Sequence, residues 1–173
     1  MHRTSSARKG FTLIELLLVI GIIAILAAIV IVAINPTKQL GDARDAQRRS
    51  DVNTLLNAIW QYAIDNGGNL PCQSGATTPC IDASWRMLGT ATSGCDSTAA
   101  TYCPDTAVAR VGACLDLTTN LKDKYIVNVP HDPRYGSGAF THYIVSTAAG
   151  NGRVTVTACN AEQATVKPIS VTR

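Results

Sequence analysis

Residues 9–35 form a long apolar stretch that reads KGFTLIELLLVIGIIAILAAIVIVAIN. Between residues 11 and 34 the only polar side chains are those of Thr12 and Glu15. These 24 residues would form about 36 Å of α-helix at 1.5 Å per residue, whereas the hydrocarbon core of a bilayer is about 30 Å thick. The stretch is therefore long enough to span a membrane.

The charges that flank this stretch predict its orientation. Arg3, Arg8 and Lys9 precede its apolar residues, which start at Phe11, and the first cation after them is Lys38. Because basic residues stay on the cytoplasmic side, we expect the N-terminus in the cytoplasm and the remaining chain outside it. The predicted location is a single pass through the inner (cytoplasmic) membrane.

The net charge of +3 belongs to the first ten residues alone. Without Arg3, Arg8 and Lys9, the 15 Lys and Arg fall to 12, which equals the 12 Asp and Glu of the chain. This balance argues against a nucleic-acid partner. A later cluster of three arginines alternates with aspartates, so we interpret it as a mostly solvated helix face. The arginines of this cluster are Arg44, Arg48 and Arg49, and the aspartates are Asp42, Asp45 and Asp51.

Glu15 needs an explanation, because an acid at the centre of a membrane costs on the order of 2.5 to 3.5 kcal/mol. One interpretation is that Glu15, close to the start of the stretch, reaches the polar interface. The other is that it has a cationic partner at the same depth. A cut after Gly10 would create such a cation, the new amino terminus of Phe11.

The segment RKGFTLIELLLVIGIIAILAAIV, residues 8–30, closely resembles the cleavage and methylation segment of type IV pilins and type II secretion pseudopilins. In that superfamily a prepilin peptidase cuts between the glycine and the phenylalanine and methylates the new amino group. The resemblance implies that Gly10 and Phe11 flank the scissile bond. It also implies that Glu15 pairs with a terminal amine during assembly.

The resemblance implies a structural subunit of a type IV pilus-like or type II secretion pseudopilus filament, and no enzyme. The expected partners are further copies in a helical filament, the prepilin peptidase, the inner-membrane assembly platform with its ATPase, and the lipid bilayer before assembly. The filament would be extracellular or periplasmic. The cysteine-rich head favours a pilus over a pseudopilus. The alternative is a membrane-anchored exoplasmic binding module or enzyme with an uncleaved signal anchor.

A second helix is predicted beyond the apolar stretch. Pro36 either kinks one long helix or begins a second one, and Gly41 adds a weak point, so we expect a hinge at these positions. The sequence QRRSDVNTLLNAIWQYAIDNGG repeats apolar residues at three- and four-residue intervals, which is typical of an amphipathic helix. The interrupted helix is predicted to pack on the rest of the chain through this apolar face.

Six cysteines lie beyond the apolar stretch: Cys72, Cys80, Cys95, Cys103, Cys114 and Cys159. An even number in an exported segment indicates disulfides, and their spacing fits no common zinc site. Six cysteines allow 15 pairings. The equal loops CQSGATTPC and CDSTAATYC favour a bridge within each loop, which leaves Cys114 to pair with Cys159. A short helix is expected around residues 85–88.

The C-terminal third is rich in β-forming residues. KYIVNV, AFTHYIVSTA and RVTVTACN read as strands, and AGNG between the last two is a hairpin signal. We expect three or four antiparallel strands that pack on the helix, an α+β, pilin-like fold. The predicted regions are a leader at 1–10, a membrane or filament-core helix at 11–35, an amphipathic helix at 36–66, cysteine-rich loops at 67–120 and the sheet at 121–173.

Few residues are candidates for chemistry in the exported part. His131 and His142 occur in no catalytic motif and are interpreted as surface or strand histidines. Asp116, Asp123 and Asp132 are acidic loop residues at which the resemblance to the major pseudopilins implies structural calcium as an alternative, but they lack the spacing of a calcium loop. We therefore expect no catalytic residue, no metal and no cofactor.

Overall fold

The structure is a computed structural model that describes residues 10–73, 80–95, 103, 112–147, 152–163 and 168–173. The basic leader residues and most of the AGNG hairpin signal lie outside these ranges. The chain divides into two compact units, Met1–Leu40 and Gly41–Arg173. The elements are α1 (Leu13–Ile34), α2 (Pro36–Asp65), β1 (Arg86–Met87), α3 (Thr118–Leu121), β2 (Tyr143–Thr147), β3 (Val154–Ala158) and β4 (Ile169–Thr172). The predicted α+β fold is confirmed.

Helix α1 is apolar on every side. Its 22 residues correspond to about 33 Å of helix, and none of them is buried. In the described part of the chain, α1 is the one helix that is long and apolar enough to cross a membrane. It ends at Asn35, which has a left-handed backbone with φ of 45°.

Asn35 also begins α2. Its side-chain oxygen accepts hydrogen bonds from the Thr37 hydroxyl (2.8 Å) and the Lys38 backbone N–H (3.4 Å), as an N-cap residue does. Pro36 then takes the first helical position, where its missing N–H has no cost. Gly41 lies inside α2 and is buried, and a Cβ there would lie 2.8 Å from the Gln163 side chain. Close packing thus accounts for Gly41, and the proposed hinge stays a prediction.

The four strands form one antiparallel sheet in the order β1-β2-β3-β4. The prediction of a short helix at residues 85–88 is wrong, because Arg86 and Met87 instead pair with β2. The prediction of a strand at KYIVNV is also wrong. The backbone N–H groups of Tyr125 and Ile126 donate to the Leu121 carbonyl, so they close a local turn after α3. Both β4 and α3 were missed by the sequence patterns.

The predicted amphipathic face of α2 is confirmed, and it packs against the sheet in one apolar core. The fully or almost fully buried members from the helix include Val52, Leu55, Leu56 and Ile59, and those from the sheet include Tyr143, Val145, Val154 and Val156. Each such side chain contributes about 1.5 to 3 kcal/mol when it leaves water. The core therefore fixes the second half of α2 to the sheet.

All six cysteines are in disulfides, but two of the three predicted pairings are wrong. Cys72 pairs with Cys80 as expected, whereas Cys95 pairs with Cys114 and Cys103 with Cys159. The reason is a tertiary contact. The Cys95 N–H donates to the Gly112 carbonyl and the Cys114 N–H to the Ala91 carbonyl, which brings two distant segments side by side. Equal loop spacing carries no information about such a contact.

Ion pairs between side chains join the first half of α2 to the rest of the second unit. The prediction of a solvated arginine face is therefore wrong for Arg48. This side chain is fully buried. Its Nε and Nη2 donate to the two oxygens of Asp132 at 2.7 and 3.1 Å, and its Nη1 donates to Asp45 at 2.7 Å. Nη2 also donates to Glu162 at 3.1 Å. We call Arg48, Asp45, Asp132 and Glu162 the Arg48 cluster.

The Arg48 cluster contains one cation and three carboxylates, and two further arginines nearer the surface balance its charge. Arg44 and Arg134 both donate to the second oxygen of Glu162, at 2.9 and 3.0 Å. Burial alone would raise the pKa of Asp132, but hydrogen bonds from Arg48 and from two backbone N–H groups outweigh it, so this pKa lies below its ordinary value. The pKa of Asp45 is lowered in the same way, against its burial, by the backbone N–H groups of residues 162 and 163 and by Arg48. Both carboxylates are ionised at neutral pH.

We predict that Arg48→Ala lowers the free energy of unfolding by about 3 to 5 kcal/mol, because it leaves buried carboxylates without their cation. Denaturant unfolding of the full chain in detergent, followed by near-ultraviolet circular dichroism, measures this change. The control is Arg49→Ala, whose exposed side chain should change stability by less than about 0.5 kcal/mol. Equal stability of the two variants would contradict the role of the cluster.

Candidate processing and assembly segment

The bond between Gly10 and Phe11 lies just outside α1. The helix starts at Leu13, and Thr12 before it has an extended backbone with φ of −79° and ψ of 152°. Phe11 is 90% exposed, and within the described part of the chain no atom beyond the adjacent residues lies within 4 Å of the position that a Gly10 Cβ would take. Because the bond is not part of the helical hydrogen-bond ladder, a peptidase can reach it without unwinding α1.

Thr12 and Glu15 form a capping box at the start of α1. The Thr12 hydroxyl oxygen accepts a hydrogen bond from the Glu15 backbone N–H at 3.3 Å. In return, Oε2 of Glu15 accepts from the Thr12 backbone N–H at 2.8 Å and from the Thr12 hydroxyl at 2.7 Å. Two backbone donors that the helix itself cannot satisfy are thereby paired. The sequence reasoning missed this role, although the Thr-x-x-Glu pattern before an apolar run is its signature.

The capping box uses only one of the two Glu15 carboxylate oxygens. Among the described residues, all hydrogen bonds to this side chain reach Oε2 and none reaches Oε1. An ionised carboxylate has about four acceptor positions, so Oε1 can take a further donor without breaking the box. The carboxylate also lies in the first turn, where the helix dipole favours a negative charge. Glu15 can thus cap its own helix and bind an external cation together.

The other candidate residues lie in the second unit. Asp132 belongs to the Arg48 cluster. Asp116 accepts hydrogen bonds from the Thr118 N–H and hydroxyl, and it lines a surface cavity of about 640 Å³ together with Asp123 and His131. Among the described residues, no group of three or more His, Cys, Asp or Glu is arranged to hold a metal ion.

His142 is a buried residue that lies immediately before β2, outside the strand. Its backbone is left-handed, with φ of 61°, and its Nδ1 lies 2.9 Å from the amide nitrogen of Asn160. Burial lowers the pKa of His142, and the nearby negative charge of Asp132 opposes this shift only in part. The imidazole is therefore held as a neutral hydrogen-bonding group.

Comparison with known families identifies the N-terminal segment. A family model described as the prokaryotic N-terminal methylation motif matches residues 5–31. The matched range contains Gly10, Phe11 and Glu15, so the resemblance of this segment to the type IV pilin and pseudopilin superfamily is confirmed.

A curated relative extends the similarity beyond the motif. The chain is 38% identical over 64 residues to the type II secretion system core protein G of Escherichia coli (strain K12). The alignment covers 37% of this chain and 43% of the relative, so the chain spans less than half the length of the relative that it matches. The comparison with solved structures found no match.

We predict that Thr12→Val weakens the start of α1 by about 0.5 to 2 kcal/mol, because the hydroxyl of the capping box is lost. Hydrogen exchange of the Glu15 amide in detergent micelles, measured by NMR, should become faster. Thr12→Ser keeps a hydroxyl at the same place and should exchange as the unsubstituted chain does. Equal protection in the valine and serine variants would show that the capping box does not hold the helix start.

Proposed function

We propose that the chain is a structural subunit of a pilus-like or pseudopilus filament, made as a precursor that is cut after Gly10. The observation that carries this proposal is the methylation motif at the start of a fully exposed apolar helix. An ordinary anchor explains the helix, but it does not explain an accessible Gly10–Phe11 bond followed by an acid with a spare acceptor. The alternative of an uncleaved signal anchor is therefore less well supported.

The exposure of α1 gives the physical reason for assembly. A water-exposed apolar surface of this size must be covered, and lipid and other copies of α1 are both apolar covers. Transfer of α1 from the bilayer into a bundle of identical helices exchanges one apolar environment for another. The subunit can therefore wait in the inner membrane and later leave it, driven by an assembly platform and its ATPase.

Glu15 supplies the specificity that apolar contacts lack. Removal of the leader creates a cationic amino group at Phe11, and we propose that Oε1 of a neighbouring Glu15 receives it. In a dry helix bundle, an unpaired carboxylate is costly, so pairing selects the neighbour that is in register. The amine forms only on processing, and this would prevent assembly of uncut precursors.

The second unit is suited to the outer side of the membrane. Its three disulfides indicate an oxidising compartment, which agrees with a cytoplasmic N-terminus and an exported head. Two kinds of filament fit these features. We favour a type II secretion pseudopilus, because the relative that matches over 64 residues is a core protein of that system. Although the cysteines favoured a pilus, disulfides indicate an oxidising compartment more directly than they indicate the kind of filament.

We predict that the mature protein starts at N-methylated Phe11 in cells that contain a prepilin peptidase. Mass spectrometry of the intact chain should show the loss of residues 1–10 and the gain of one methyl group. Gly10→Val, which places a branched side chain at the cut, should leave the leader in place. An intact Met1 on the unsubstituted protein at the cell surface would contradict the proposed processing.

We predict that Glu15→Gln still inserts and is still cut, but that its fibre yield falls about tenfold or more, because a carboxylate partner of the amine is lost. Glutamine can replace glutamate in a capping box, so this variant keeps the helix start and removes only the charge. The sheared surface fraction, quantified by immunoblot, gives the yield. Normal yield from Glu15→Gln together with loss in Glu15→Ala would assign Glu15 a capping role alone.

A further inference from the structure

Two oppositely charged side chains, Asp42 and Arg49, lie on the exposed flank of α2. Within the described part of the chain, neither side chain makes a hydrogen bond or an ion pair. The neighbouring residues Arg44, Asp45 and Arg48 differ from these two, because each of them forms an ion pair within the chain. The flank thus presents one anion and one cation that the subunit itself leaves unused.

The spacing of the two charges excludes a bond between them within one chain. Seven residues are two helical turns, so Asp42 and Arg49 point to the same side but lie about 10.5 Å apart along the helix. Ala46, one turn from each of them, is exposed and small, so another helix can approach closely between the two charges. Lys38, one turn before Asp42, does not pair with it within the described part of the chain, so another molecule can supply the partner of either charge.

We propose that Asp42 of one subunit pairs with Arg49 of the next subunit in the filament. A copy displaced by about 10.5 Å along α2 brings its Asp42 beside the Arg49 of the first copy. Asp42 and Arg49 are different parts of the surface, so the contact joins unlike sites. It therefore repeats along an open fibre instead of closing a dimer. This inference rests on the proposed filament function and adds the register in which the subunits lie.

The start of α1 gives an independent estimate of the displacement between neighbours. Glu15 is two helical steps beyond Leu13, and Thr12 before it is extended, so Phe11 lies up to about 10 Å before Glu15 along α1. A neighbour whose Phe11 amine meets this Glu15 is displaced by that distance. Each distance is taken along its own helix, and the two are of similar size.

The pair acts on register more than on strength. Ion pairs at a surface contribute little individually, because solvent screens them. Opposite charges at a fixed spacing still select one displacement between neighbouring subunits, since other displacements leave both charges unpaired. The decisive experiment therefore measures which residues of neighbouring subunits are adjacent.

The test uses full-length filaments of the double variant Asp42→Cys/Arg49→Cys under mild oxidation. A disulfide requires Cα atoms about 4.4 to 6.8 Å apart, so the two new cysteines cannot join within one helix. The six native cysteines are already in disulfides. We expect a ladder of covalent oligomers from the double variant and none from either single variant.

The matched control is Ala43→Cys/Ser50→Cys, an exposed pair with the same seven-residue spacing on another side of α2. It should give no ladder. A ladder of equal strength from the control, the absence of a ladder from Asp42→Cys/Arg49→Cys, or dimers from Asp42→Cys alone would each overturn the proposed pairing.

Charge exchange gives a second readout, with Lys38 kept in every variant. Asp42→Arg and Arg49→Asp should each lower fibre yield about two- to five-fold, and Asp42→Arg/Arg49→Asp should restore it. Lys124→Glu, an exposed change in the head, should leave the yield unaltered. Failure of the double exchange to recover would overturn the pairing while fibres of the unsubstituted chain persist. Absence of fibres from the unsubstituted chain would instead overturn the filament function on which the pairing rests.

Discussion

The lack of any internal cover for α1 is the constraint on which the rest of the account depends. None of its 22 residues is buried against the described part of the chain, so this apolar surface needs a cover from lipid or from other molecules. Apolar contacts alone have no preferred register, and polar groups must therefore set it. We propose that Glu15 does so, because the capping box occupies Oε2 and, among the described residues, leaves Oε1 available. The external pair that we infer on α2 would repeat the same arrangement at a second level of the fibre.

Within the second unit, the sheet and loops must be joined to α2 although the apolar core is small. The apolar face of α2 holds the sheet, and the Arg48 cluster holds the preceding turns through residues 132 and 162. An ion cluster is a costly way to join two elements, since its charges must leave water. Its geometric demands nevertheless fix one arrangement, and the disulfides restrain the loops that the core does not reach. With the ion cluster and the disulfides, the second unit can stay folded without a large apolar core.

The sequence predicted those parts that depend on local patterns. Helix α1 follows from the length of the apolar run, the buried face of α2 from three- and four-residue spacing, and strands β2 and β3 from their β-forming residues. The pattern around Gly10 and Phe11 likewise predicted the family to which the motif at residues 5–31 is similar. Long-range contacts were beyond such reasoning. Arg48 looked like a surface residue because its partners Asp132 and Glu162 are distant in sequence. The pairing of Cys95 with Cys114 likewise depends on a backbone contact that loop spacing does not encode. The capping box differs, because the Thr-x-x-Glu pattern of Thr12 and Glu15 is a local signal that the sequence does contain.

The central claim is that Glu15 of one subunit receives the amine of Phe11 from another. Solid-state NMR of fibres assembled from two pools tests it most directly, with one pool labelled at phenylalanine nitrogen and the other at glutamate side-chain carbon. The account predicts a through-space correlation between the Phe11 amine nitrogen and the Glu15 carboxyl carbon in these mixed fibres, where it can arise only between subunits. Its absence from mixed fibres, together with its presence in fibres whose subunits carry both labels, would place the contact within one chain and contradict the account.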